Sequence, residues 1–117
     1  MLGLAGDVDI VFAPSGTDLE FVALALAAAR SQRPVTNILL GQDEVGSGCA
    51  LAAQGRHFAA ETAVRPVTRK GASIEGFGDV HLASLAVRAA GGLPLSSESV
   101  TASIAEVAAG AIASGRH

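Results

Sequence analysis

Tryptophan and tyrosine are absent from this chain of 117 residues, and rings come only from Phe12, Phe21, Phe58, Phe77 and three histidines. A surface without stacking platforms is ill suited to holding splayed bases. Positive charge is scarce as well: eight Lys plus Arg stand against eleven Asp plus Glu, a net charge of −3, so there is no basic footprint for nucleic acid. The single cysteine, Cys49, excludes an internal disulfide and any multi-cysteine metal site, which fits a reducing, cytoplasmic setting. No apolar run approaches the ~20 residues needed to cross a bilayer. The longest, Phe21 to Ala29, is far shorter, and Asp7 and Asp9 without a preceding basic region leave no secretory signal. The expectation is a soluble chain without membrane or nucleic-acid partners. Standard nucleotide motifs are also missing, with neither a Gly-x-x-x-x-Gly-Lys-Ser/Thr loop nor a Gly-x-Gly-x-x-Gly after a strand.

What remains is apolar. Half the residues are hydrophobic, mostly Ala, Val and Leu, and only 16% are charged. Such a chain either wraps a sheet buried on both faces or exposes apolar area that a partner or further segment covers. Residues 8–13 read as a buried strand, Asp18 to Arg30 as a helix apolar through its middle, and Val35 to Leu40 as a second strand. That order implies a right-handed parallel crossover. A glycine-rich loop, Gly41 to Gly48, follows, then a short helix over 49–54. Ala63 to Val67 is a candidate third strand, restricted to an edge by Pro66. Residues 79–90 read as a helix capped by Asp79 and ended by Gly91-Gly92, and after Pro94 Ser97 caps a last helix with Val100, Ile104, Val107 and Ala111 at helical spacing. The expectation is an α/β fold with a short, mainly parallel sheet flanked by helices. Residues 1–93 form the α/β unit and 94–117 the C-terminal helix.

Chemistry concentrates at Pro14-Ser15-Gly16-Thr17-Asp18, where the first strand hands over to a helix. Unpaired N–H groups of a first helical turn and the dipole's positive end favour an anion there. Gly16 permits close backbone approach, and the Ser15 and Thr17 hydroxyls add donors. A simple helix cap by Ser15 or Thr17 uses the same residues.

Taken together, the apolar strand, the Ser15-Gly16-Thr17 turn, the buried Ala/Leu helix and the run Asn37-Ile38-Leu39-Leu40 into Asp43 to Gly48 resemble the start of the large domain of fold type I pyridoxal-phosphate enzymes. Aminotransferases and cysteine desulfurases belong to that family. The resemblance implies part of a three-layer αβα domain, pyridoxal phosphate as cofactor, and transferase or lyase chemistry on a small amino-acid substrate. It places Ser15, Gly16 and Thr17 on the cofactor phosphate. Glu44 and Val45 fall near the position where relatives set a ring over the cofactor; neither can stack, and His57 or Phe58 takes that role if the short helix folds back. The family's lysine and its preceding aspartate have no match in order: Lys70 is the sole lysine, it comes early, and Asp79 follows it. The implied role is therefore the phosphate end of a site whose reactive end lies elsewhere, in a homo-oligomer, a complementary subunit or further chain.

Two readings from other classes stay open. One is a non-catalytic interaction or regulatory module, the other a phosphosugar- or nucleotide-binding domain using the same helix-start anion site. A Cys49–His57 dyad and a metal site of Asp43 and Glu44 with His57 or His81 have the right residue types, but solvated or capping acids and a buried structural cysteine account for them more simply.

Overall fold

The computed structural model describes residue 6, residues 8–62 and residues 66–117. Helix α1, Gly16–Arg30, begins two residues before the expected Asp18. Ser15 adopts extended dihedrals and its hydroxyl accepts the Asp18 N–H, while Asp18 in the first turn and Arg30 in the last complement the dipole. Strand β1 runs Val35–Leu40, a 3₁₀ turn covers Gln42–Glu44, and α2 is the single turn Cys49–Ala52. These elements match the sequence reading.

Three expectations are corrected. Residues 8–13 are not a strand: they lie in no ladder, and Phe12 is 92% exposed. An apolar, β-branched run becomes a strand only when a neighbour pairs with it, and here β1 takes a different neighbour. Residues 79–90 are not a helix. Val80–Leu85 forms strand β2, paired in parallel with β1 from Val35↔Val80 to Leu40↔Leu85. The pairing of six residues with β1 outweighs a helical spacing of Leu82, Leu85 and Ala86 that is equally compatible with alternation. Asp79 therefore caps nothing; its carbonyl accepts the Val35 N–H at 2.9 Å as the ladder starts. Gly91-Gly92 does not end a helix either. It lies in a tight return in which Arg88 bridges Pro94 in antiparallel fashion, with Gly92 at φ +80°. The proposed third strand falls largely on Ala63, Val64 and Arg65, outside the described residues, and Pro66 and Val67 are not in a strand.

The described residues thus form a small α/β arrangement: a two-stranded parallel sheet, β1-β2, with three α-helices. The last, α3, spans Ser97–Ala113 and is capped by Ser96, one residue earlier than expected. Its half-buried positions include Val100, Ile104, Val107 and Ala111, the face that packs on β1 and β2. The other sheet face receives α1 and α2, and the Asn37 side-chain amide donates to the Ala53 carbonyl at 3.0 Å.

Two devices hold these layers. A stack of rings, Phe58 on Phe21 on Phe77, has centroids 5.7 and 6.0 Å apart and ties α1 to the segments after α2. Gly48 and Gly55 make room for it, since a Cβ at either would sit 3.0 Å from Phe58 or Phe77 respectively. At the opposite end of the sheet Arg116 acts as a staple. Its guanidinium donates to the Thr36 hydroxyl at 3.1 Å, the Val35 carbonyl at 3.0 Å and the Asp79 carboxylate at 2.9 Å.

The outer edge of β1 is only begun. His117 donates to the Pro34 carbonyl and accepts the Thr36 N–H, each at 2.8 Å. Since alternate amides of β1 serve β2, those of Ile38 and Leu40 point to this edge and find no backbone partner among the described residues. The buried apolar core is small: Leu24, Val35, Leu39, Cys49, Ala52 and Ala53. A radius of gyration of 16.0 Å exceeds the roughly 13 Å typical of a compact domain of ~100 residues.

Candidate functional site

The turn singled out in the sequence lies at the start of α1, a helix long enough to carry a full dipole. Among the described residues the amides of Gly16 and Thr17 make no backbone hydrogen bond, and a Cβ on Gly16 would meet nothing within 4 Å. Nothing in the chain's own packing requires glycine there. The glycine-rich loop comes to this turn, as the sequence reading expected. The Thr17 hydroxyl lies 3.2 Å from the Cys49 sulfur, and a Cβ on Gly46 would lie 3.8 Å from the same hydroxyl oxygen.

Asp18 qualifies the anion reading. Its carboxylate accepts a hydrogen bond from the Ser15 hydroxyl at 2.6 Å, while its N–H donates to that hydroxyl oxygen at 3.2 Å. Ser15-x-x-Asp18 is thus a reciprocal cap, and the chain already holds one negative group over its own helix start. That pairing was legible in the sequence as a Ser followed three residues later by an acid.

A cavity of about 460 Å³ adjoins the turn, bounded by Pro14 and Asp18 on that side and by Phe21, His57, Phe58 and Glu61. His57 and Phe58 thus share a cavity with Pro14 and Asp18, which flank Ser15-Gly16-Thr17. The backbone of His57 is clamped, donating to Ala72 at 2.9 Å and accepting from Gly71 at 2.7 Å. Glu44 goes elsewhere. It forms a two-oxygen ion pair with Arg88 in a separate recess of about 560 Å³ at the carboxyl ends of β1 and β2. Val45 ends the 3₁₀ turn, 37% exposed.

The remaining candidates disperse. Lys70 sits in an exposed turn and does not line the cavity beside Ser15. Asp79 is paired with Arg116 at the far end of the sheet. The hydrogen-bond partner of buried Cys49 is Thr17, not His57. No cluster of three or more His, Cys, Asp or Glu able to hold a metal ion occurs among the described residues, and none of their helices is long and apolar enough to cross a membrane. What sequence reasoning missed is the aromatic stack, because nothing in one dimension brings Phe21, Phe58 and Phe77 together.

For pyridoxal phosphate, the donor set at the turn fits the phosphate: two amides without partners, a threonine hydroxyl and open space over Gly16. Among the described residues no lysine stands in this neighbourhood to meet the cofactor's carbonyl end. No family model matches the chain, and no curated protein or solved structure matches it.

Proposed function

We propose that this chain supplies the phosphate-binding part of a pyridoxal-phosphate-dependent transferase or lyase acting on an amino acid, in assembly with a second copy or a complementary subunit. The observation that carries the reading is the meeting of the α1 start with the Gly46 to Cys49 loop around the unbonded amides of Gly16 and Thr17. Bound there, the cofactor would supply an electron sink for chemistry at the amino acid's α-carbon. Gly16 and Thr17 would donate to phosphate oxygens, and His57 and Phe58 would wall the ring side. Apolar area left uncovered supports the need for assembly, with Phe12 and Val67 at least 90% exposed.

A second reading has its own observation. The Asp18 carboxylate on the Ser15 hydroxyl makes the turn a self-satisfied cap, which fits a non-catalytic interaction module docking through its exposed apolar residues. Titration with pyridoxine 5′-phosphate separates the two, because this analogue has the ring and phosphate but no aldehyde to react with Lys70. The cofactor reading expects saturable amide shifts at Gly16, Thr17 and Gly46, with pyridoxine itself inert. Gly16→Ala, which the helix tolerates, should weaken binding by putting a methyl into the open space over the turn where the phosphate would sit. Asp18→Asn should tighten it by removing a competing charge. Shifts elsewhere, or affinity indifferent to both substitutions, would leave the capping reading standing.

A further inference from the structure

We infer that the cavity beside α1 binds an organic cation, an amine carried on an apolar or aromatic body. The inference does not rest on the phosphate reading, since its contacts lie beyond Ser15, Gly16 and Thr17, but His57 and Phe58 wall both spaces, so the amine and a cofactor ring would compete for this recess. The recess, at about 460 Å³, has the size of a small-molecule site. Its walls include the rings of Phe21 and Phe58 and the side chain of Ile74, so the body of a ligand meets hydrocarbon. Its titratable side chains among the described residues are two carboxylates and the His57 imidazole. Asp18 and Glu61 border the space, and no lysine or arginine lines it among the described residues.

The two carboxylates select for positive charge. Carboxylates are acceptors only, so a ligand that satisfies them must bring N–H donors. The Ser15 hydroxyl engages only one Asp18 oxygen, leaving the second to accept, and Glu61 forms no salt bridge among the described residues. The phenyl side chains in the wall present apolar area to the body of the ligand. An anion of the same shape would face two like charges in a partly dewatered recess. The wall is held in place beforehand, since Phe58 is stacked on Phe21 and the His57 backbone is fixed to Gly71 and Ala72. Little ordering is then left to oppose binding.

The test pairs two probes of like shape and opposite charge, 2-phenylethylamine and 3-phenylpropionate, titrated into the full isotope-labelled chain with amide shifts and calorimetry as readouts. The amine should bind saturably, moving amides from His57 to Thr62 and at Ile74, with the carboxylate weaker by about tenfold or more. Glu61→Gln should weaken the amine about threefold, the scale of one exposed ion pair. Raising salt from about 0.05 to about 0.5 M should erode the amine's advantage. Gly16→Ala should leave amine affinity unchanged, which keeps this result separate from the phosphate titration. Absence of amine binding, equal affinity for both probes, shifts outside the cavity, or no response to Glu61→Gln in a chain with unchanged circular dichroism would each overturn the inference.

Discussion

Gly55→Ala is the substitution whose cost can be divided most cleanly into its physical parts. Gly55 has φ +67°, and a Cβ built on it stands 3.0 Å from Phe77 Cδ2 and 3.1 Å from Phe77 Cβ. Left-handed backbone costs an L-residue about 1–2 kcal/mol. Driving a methyl into a packed ring adds about 1–3 kcal/mol. The expected loss is therefore about 2–5 kcal/mol, a large share of the stability of a domain this size. Two companions isolate the parts. Gly92, at φ +80° with nothing within 4 Å, should lose only the backbone share, about 1–2 kcal/mol, on mutation to Ala. Gly48, with φ −86° and Phe58 Cβ at 3.0 Å, should lose only the steric share, about 1–3 kcal/mol. Urea unfolding followed by far-ultraviolet circular dichroism is the assay, because a chain without Trp or Tyr gives no useful intrinsic fluorescence. With a urea slope of about 1–3 kcal/mol per M, the extra loss of Gly55→Ala over Gly92→Ala shifts the midpoint by roughly 1 M. Equal midpoints for those two variants would refute the packing of Phe77 on Gly55, and with it the three-ring stack.

Other expectations can be checked with the same assay. Arg116→Met should cost about 2–3 kcal/mol, mostly from the bonds to Thr36 and Val35, because Asp79, its exposed ion-pair partner, contributes little; Asp79→Asn costing more than Arg116→Met would invert that ranking. Phe21→Ala removes the middle ring of the stack and should cost about 3 kcal/mol, the low end for a phenylalanine because Phe21 is only half-buried, whereas Phe12→Ala should be near neutral. The Glu98 carboxyl is held below its ordinary value, first by its own backbone N–H and then by the Ser96 hydroxyl. A folded value below the unfolded one means stability that is present above the unfolded value near 4.5 and fades as pH falls through the folded one, so Glu98→Gln should flatten the acid limb of a stability–pH curve. An acid limb unchanged by that substitution would count against the helix-start bonds.

Elements whose signal is local were legible in the sequence. Ser15 and Asp18 announce the start of α1, the β-branched and Leu-rich run marks Val35–Leu40, and four apolar residues at helical spacing mark the buried face of α3. Misreadings arose where a partner distant in sequence decides. Val80–Leu85 is a strand because β1, some 45 residues earlier, offers it a parallel register, and residues 8–13 are not one because no neighbour does. The site divides the same way. Adjacency of the Ser15 turn and the Gly46 loop follows from chain order around one strand, but the capture of Glu44 by Arg88 depends on the misread strand, which delivers Arg88 to the loop.

The unfinished outer edge of β1 makes concentration a structural variable. Thr36 to Leu40 carries no charge, no proline and no bulge, the usual means by which an exposed strand avoids recruiting another, and among the described residues the amides of Ile38 and Leu40 have no backbone partner. His117 guards only the first step of that edge. An edge of this kind offers main-chain pairing to an extended apolar segment, and raising protein concentration is then expected to favour association through it.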